Sequence, residues 1–406
     1  KPSLEALRDL VADCRADVPD GLPRALACLV GYFGYETVAL VEKLPVPEVD
    51  PLGLPDMIFM RPTVLLVFDR LADALYLVAP AWPDPKRSAD AIIDAAAERI
   101  EATAARLAAS TLPAPVRAEP LELSFEPQLP AGRYADMVAA AKEYIAAGDI
   151  FQVVLAQRFT APFPLPPFEL YRALRRINPS PFLYHLDLPG FSLTGSSPEI
   201  LVRARDGEVT IRPIAGTRPR GKTAAEDEAN RTSLLADAKE RAEHLMLLDL
   251  GRNDTGRVAK AGSVRVTESY TVELYSHVMH IVSNVVGQLR DDRDSIDALF
   301  AGFPAGTVSG APKVRACEII AELEGEKRGA YAGAVGYFSP DGSMDSCIVL
   351  RTGIVKDGVM HVQAGAGIVA DSNPVYEQRE CEAKAGALLA AAREAVARAS
   401  EPDFGQ

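Results

Sequence analysis

The stretch KERAEHLMLLDLGRNDTGRV, residues 239–258, and its counterpart YEQRECEAKA, residues 376–385, each carry two glutamates three positions apart: Glu240 with Glu243, and Glu377 with Glu380. Both stretches read as helix, and i,i+3 spacing on a helix puts the carboxylates of a pair on one face. Like charges so placed repel by roughly 0.2–0.5 kcal/mol. One such pair is ordinary on an Ala-rich surface helix. Two pairs, each in a segment dense with Gly, Arg, His and Asp, indicate a positive group between them. Oxygen donors of this kind point to Mg²⁺, which keeps several waters and bridges carboxylates to an anionic substrate. Taken alone, the spacing fits two solvated acidic faces equally well.

Working outward, the chain between and before these helices alternates apolar runs with helical patterns. Tyr134, Met137, Val138, Ala141, Tyr144 and Ile145 make one helical face that Gly148 can close. Strand-like runs follow at 150–159, 182–188, 200–205 and 209–213, then a helix over 226–250. Strands at 277–288, 330–339, 346–356 and 359–364 alternate with helices at 294–301 and 312–325, and a last helix covers 374–399. Such mixing means α+β or α/β with large sheets, and periodicity does not choose between them. Upstream, Leu4, Leu7, Leu10 and Val11 have helical spacing, 27–32 and 63–68 read as strands, and 91–109 reads as a long helix. Residues 111–130 hold five prolines and no helical period, the signature of a linker. The expected organisation is an N-terminal region at 1–110, a linker at 111–130 and a catalytic domain at 131–400. The chain starts at Lys1 rather than Met, so the natural start is expected to lie upstream.

The 406 residues are 48% hydrophobic and 24% charged, a globular profile with material for one large or two ordinary domains. A net charge of −13 argues against nucleic acid and anionic membrane surfaces as partners. No apolar run reaches 18 residues, and no signal peptide is evident. The five cysteines are scattered without a CxxC, as expected of reduced thiols in a cytoplasmic protein.

Several further segments can carry chemistry. Phe303 to Lys313 (FPAGTVSGAPK) is a Gly/Ser/Thr loop entering a helix with Pro312 in its first turn, and free N–H groups, Thr307, Ser309 and Lys313 would suit an anion. QAGAGI, residues 363–368, is a weak dinucleotide fingerprint but a reasonable place for close backbone approach to a ligand. Arg351, at the end of a strand pattern, could grip a carboxylate in bidentate fashion. His277 and His280 face opposite ways on a strand, so they are not joint metal ligands. Glu199, in the turn GSSPE before an apolar strand, could be a buried acid with a raised pKa. Each of these also has a purely structural reading when taken singly.

Read together, the segments resemble the chorismate-utilising enzymes, and most closely the large subunits of anthranilate synthase. The resemblance runs through GDIFQVVLAQRF (148–159), NPSPFLYHL (178–186), GSSPEIL (195–201), RPIAGTRPRG (212–221) and KERAEHLMLLDLGRNDTGRV (239–258). It continues through YSHVMHIVSNVVGQL (275–289), FPAGTVSGAPKVRACEIIAELE (303–324), RGAYAGAVGYF (328–338) and QAGAGIVADSNPVYEQRECEAKA (363–385). The fold this implies is α+β (mixed α/β), with large antiparallel-rich sheets flanked by helices. Glu240, Glu243, Glu377 and Glu380 match the family's Mg²⁺-site acids, Glu243 and Glu380 being the expected direct ligands. Tyr331, Arg351, Gly365, Ala366 and Gly367 match residues that hold chorismate, and Gly216, Thr217 and Thr307 line the same pocket. Lys384 would balance the carboxylates. Glu199 matches the general acid that protonates the departing 4-hydroxyl, and His280 the histidine linked to pyruvate elimination.

The implied reaction is a lyase step that opens tryptophan biosynthesis. Ammonia adds at carbon 2 of chorismate as the 4-hydroxyl leaves, then loss of the carbon 2 proton and pyruvate gives anthranilate. Water-adding members carry a lysine base where this chain has Gln152. Aminodeoxychorismate synthases carry an attacking lysine where this chain has Ala215. The alternatives kept open are an aminodeoxychorismate synthase, a 2-amino-2-desoxyisochorismate synthase and a non-catalytic chorismate or tryptophan sensor. No amidotransferase nucleophile elbow surrounds any cysteine, so the resemblance implies a separate glutamine amidotransferase subunit in a heterodimer or heterotetramer. L-Tryptophan is the expected feedback inhibitor, binding near Pro181, Phe182 and Leu183.

Overall fold

A computed structural model describes residues 2–23, 26–109, 116–275 and 278–400. Among these, nine helices follow in order: α1 Ser3–Asp13, α2 Ala89–Ala109, α3 Arg133–Ala146, α4 Pro167–Ile177, α5 Ala224–Ala236, α6 Ala238–Val258, α7 Ser295–Gly302, α8 Lys313–Glu324 and α9 Pro374–Ser400. None is long and apolar enough to cross a membrane. The α3 face read from the sequence is the buried one, with Tyr134, Met137, Val138 and Ala141 inside. Gly148, at φ +82°, follows the cap and ends that helix in a conformation that costs glycine little.

Two antiparallel sheets carry the fold. The larger has nine strands, in the order Ile214–Pro219, Val278–Gln288, Glu208–Ile211, Ile200–Arg205, Met344–Ile348, Ala334–Phe338, Leu29–Phe33 and Met57–Met60, with Arg265–Leu274 also paired to Val278–Gln288. The smaller has seven, in the order Gly310–Ala311, Gln152–Pro162, Val359–Ile368, Thr352–Lys356, Phe191–Ser197 and Phe182–Leu188, with Glu126–Pro127 paired to Gln152–Pro162. The main core buries α3, α7, α8 and α9 against these sheets, through residues such as Met137, Leu155, Phe303, Ile319 and Leu388. Each Leu or Met buried there contributes about 1.5–3 kcal/mol relative to exposure. This α+β architecture is the one the resemblance implies.

Sheet pairing crosses the expected boundary at 111–130. Leu29–Phe33 sits between Ala334–Phe338 and Met57–Met60, with Leu29 opposite Phe338 and Phe33 opposite Ala334. Gly31 is needed there, because a Cβ would stand 1.9 Å from the Ile58 carbonyl oxygen. Glu126–Pro127, inside the proline-rich stretch, pairs with Thr160 and Phe159.

Two chain segments pass from one sheet to the other side by side, and this places the site. The smaller-sheet strand Phe191–Ser197 continues into the larger-sheet strand Ile200–Arg205, with Glu199 at the crossing. The larger-sheet strand Met344–Ile348 continues into the smaller-sheet strand Thr352–Lys356, with Arg351 at its crossing. The strands pair on both sides, Cys347 with Ile200 and Thr352 with Gly195. The crossings are stitched by Ile348 N–H to the Glu199 carbonyl and Ser196 N–H to the Arg351 carbonyl, both 3.1 Å. The sequence pattern reads 346–356 as one strand. The break comes at Arg351, whose φ of +48° no strand interior adopts. Likewise the helix read over 226–250 is two helices. Asp237 leaves helical geometry (ψ 112°) and caps α6 by accepting the N–H groups of Lys239 and Glu240.

Candidate active site

Glu199 is 7% exposed. Its Oε1 accepts the Thr307 hydroxyl at 3.2 Å, from a short turn at Gly306–Val308. Burial pushes its carboxyl up to about 8, against the downward pull of the Thr307 bond and the Arg351 charge. It therefore holds a proton at neutral pH. The Arg351 guanidinium is also shifted by burial, downward, with Glu199 and Tyr275 opposing. Among the described residues it has no carboxylate at salt-bridge distance.

His280 stands on the Val278–Gln288 strand and is 9% exposed. Its Nδ1 lies 2.9 Å from the Gly216 carbonyl and 3.2 Å from the Thr217 hydroxyl. A carbonyl only accepts, so Nδ1 carries the hydrogen and Nε2 keeps the lone pair in the neutral ring. Burial lowers the ring's pKa, which favours that neutral form. Gly216 itself, at φ +70°, sits at a register shift, where a Cβ would stand 3.2 Å from Glu240 Oε2. His277 lies outside the described residues.

Gly365, Ala366 and Gly367 lie on Val359–Ile368, opposite Ala156, Leu155 and Val154. A Cβ at Gly365 would stand 2.8 Å from the Tyr331 hydroxyl, and one at Gly367 would stand 2.3 Å from Gln152 Nε2. Tyr331, Gln152 and this strand thus form one wall. The buried Arg328, 1% exposed, braces it. Its guanidinium takes Glu324 in a bidentate pair at 2.6 and 2.8 Å, donates at 2.7 Å to the carbonyls of Val308 and Val154, and stacks 5.4 Å from the Tyr331 ring. One side chain therefore ties the Thr307 turn, the Gln152–Pro162 strand and Tyr331 together.

The four glutamates arrive on α6 and α9. Burial, Glu240 and Glu380 push the Glu243 carboxyl up, and burial and Glu380 do the same to Glu377. Arg218 pairs with Glu240 at 2.9 Å, and Lys384 with Glu380 at 2.7 Å. Lys384 also donates to the Gly365 carbonyl at 2.9 Å, linking acids to wall. Cys381 turns away and donates to the Tyr134 hydroxyl. Among the described residues no three Asp, Glu, His or Cys side chains stand close enough to hold a metal ion by themselves. The mutually repelling oxygen donors still suit Mg²⁺, which takes only one or two carboxylates and completes its shell with water and substrate.

One expectation changes. Lys313 is not available to an anion: its Nζ pairs with buried Asp254 at 2.8 Å, and Pro312 precedes the first helical residue of α8. Pro181, Phe182 and Leu183 stand at the start of the edge strand Phe182–Leu188, with Phe182 opposite Ser197 and packed on a second apolar cluster with Tyr184. Sequence reasoning also passed over Arg218, Arg328 and Tyr275, whose ring meets His280 edge-on at 5.2 Å. Arg218 meets acids 19 and 22 positions away, whereas Arg328 and Tyr275 each also have a near partner, Glu324 at i,i+4 and His280 on the next strand. All three nevertheless stand inside motifs quoted for the resemblance: Arg218 in 212–221, Tyr275 in 275–289 and Arg328 in 328–338.

Comparison with known proteins now adds to this geometry. The family described as chorismate binding enzyme matches residues 2–390. The chain is 53% identical over 401 residues to an anthranilate synthase component 1 from Cereibacter sphaeroides, covering 97% of this chain and 79% of that protein. It is 51% identical to one from Pseudomonas putida, over 93% and 76% of the two chains. The crystal structure of anthranilate synthase component I from Streptococcus pneumoniae superposes with a TM-score of 0.84 at 40% identity, covering 94% of this chain and 85% of that one. The chain belongs to the chorismate binding enzymes.

Proposed function

We propose that this chain is the chorismate-converting subunit of an anthranilate synthase, making anthranilate and pyruvate from chorismate and ammonia. The observation that carries this reading is the placing of a protonated buried acid, Glu199, and a guanidinium, Arg351, with no carboxylate at salt-bridge distance among the described residues, on neighbouring sheet crossings. Arg351 grips a substrate carboxylate. Glu199 gives its proton to the 4-hydroxyl, which leaves as water while ammonia bonds to carbon 2. His280 Nε2 accepts the carbon 2 proton as pyruvate departs. Tyr331, Thr307, Gly216, Thr217 and the Gly365–Gly367 backbone orient the ring. Ala215 offers no amine for a covalent adduct, and buried Gln152 no base for water.

Glu240, Glu243, Glu377 and Glu380 would hold Mg²⁺, with Lys384 balancing the set. The metal would supply positive charge to the substrate's ring carboxylate. An amidotransferase subunit supplies ammonia from glutamine. Tryptophan acts as feedback inhibitor at the Pro181–Leu183 end of the smaller sheet. The reaction class is a lyase.

The test is product analysis after mixing the chain with chorismate, Mg²⁺ and ammonium. Anthranilate is expected. An aminated, unaromatised product would reassign the chain to the amino-desoxyisochorismate type, and a 4-amino product would show that Ala215 was misread.

A further inference from the structure

A second cleft reaches Glu199. It is bounded by Leu247, Leu250, Gly251 and Asp254 of α6 and, opposite, by Ala305 and Gly306. It shares Glu199 and Thr307 with the candidate site, but not Arg351, Tyr331, Gly216, Thr217, His280 or Gly365–Gly367. It has room for about two water molecules. Leu250, Ala305 and Arg212 on its rim are half-exposed, whereas Glu199 at its end is buried. Its lining is mostly apolar, with two charged residues, Asp254 and Arg212, besides Glu199.

Proton bookkeeping gives this cleft a task. In the reaction proposed above, on which this inference rests, ammonia bonding to carbon 2 creates an ammonium group that sheds one proton. Glu199 loses one proton to the hydroxyl, which departs with its bonding electrons as water. The two balance overall but arise at different atoms. Glu199 is left a carboxylate and needs a proton from solvent before the next turnover, while substrate or product fills the front of the site. We propose that the cleft between α6 and the 302–307 loop is the route by which water returns a proton to Glu199. The carboxyl's readiness to hold a proton at neutral pH fits refilling from bulk water.

Filling the cleft separates proton return from chemistry. A Cβ at Gly251 would meet Ile211, Pro213 and Val285 at 3.5–3.7 Å, ordinary contact, so a side chain can start there. For Gly251→Leu in the full chain, with chorismate, Mg²⁺ and ammonium, rapid-quench assay should find the first turnover within about twofold of the unsubstituted chain. Steady-state turnover should drop about tenfold or more, well inside the ~10²–10⁴-fold that a general acid supplies. A burst of anthranilate and a larger solvent deuterium effect on the steady state should accompany the drop. Ala305→Val, from the opposite wall, should behave alike and decides the matter if the leucine variant fails to fold. Equal losses in both phases, or a steady state without change, would overturn the proposal. If the unsubstituted chain makes no anthranilate, the proposed function fails instead, and that arm shows it before any variant is read.

Discussion

Glu199 and His280 are two titratable groups whose surroundings push them to opposite tasks. Burial keeps Glu199 protonated up to about pH 8 and keeps His280 neutral with Nε2 free. The active form of Glu199 is the acid, so at a fixed free-ammonia concentration kcat should fall as pH rises through about 8. Glu199→Gln should lower kcat by ~10²–10⁴-fold and erase that limb; a limb that persists in the variant would assign it to another group. The same carboxyl affects stability. Its folded pKa lies above its unfolded value, so the native state binds more protons between the two. Its contribution is fully present at low pH and lost as pH rises through about 8. For His280→Ala, chromatography should show the aminated, unaromatised intermediate accumulating, since elimination slows while amination continues. Glu199 could be singled out from its turn in the sequence, but not its protonation. That comes from burial, which outweighs the downward pull of Thr307, 108 positions away, and of Arg351.

At the scale of elements, most helices were legible, though α4 was not read and α5 and α6 were read as one. The stripe of α3 and the glutamate pairs of α6 and α9 follow from 3.6-residue periodicity. The strands Phe191–Ser197 and Ile214–Pro219 were not read. The first is buried along its whole length and includes small polar residues, so it shows no alternation. The second holds Gly216 and ends in Pro219, at the sheet's edge. Arg328 also escaped, because its meaning lies in α8, the Gly306–Val308 turn and the Gln152–Pro162 strand at once. Arg328→Met strands Glu324 in the core and should cost about 3–5 kcal/mol of unfolding free energy. Adding Glu324→Leu should recover much of that loss, since the unpaired charge goes with it. Denaturant midpoints of the single and double variants check this; a double variant less stable than the single would refute it. Asp237→Ala should cost about 0.5–2 kcal/mol through the lost cap of α6. It also removes one of the two acids that hold Arg218, at 2.8 Å.

At the scale of the molecule, the expected division at 111–130 marks a change of composition, while sheet pairing runs through it. The larger sheet closes around Leu29–Phe33, and Glu36 accepts the backbone N–H groups of Arg328 and Gly329 at 2.7 and 3.1 Å. Residues 131–400 expressed alone should therefore lack a cooperative thermal transition and bind a dye for exposed apolar surface. A sharp transition matching that of the longer chain would show that the first 130 residues are dispensable to the fold. Long-range strand pairing of this kind has no local signature, which is why the sequence reading stopped at composition.

The paired sheet crossings bear on how such a site could be tuned. The two segments that carry proton donor and guanidinium are laced together through their backbones, Ile348 N–H to the Glu199 carbonyl and Ser196 N–H to the Arg351 carbonyl, at the seam between two sheets. Any tilt of one sheet against the other carries both groups together, so their mutual spacing persists while their aim at a ligand held by α6 and α9 changes. The seam thus acts as a common axle: a ligand pressing on the far edge of the smaller sheet could dim the chemistry without touching a reacting atom, and without breaking the pair that performs it.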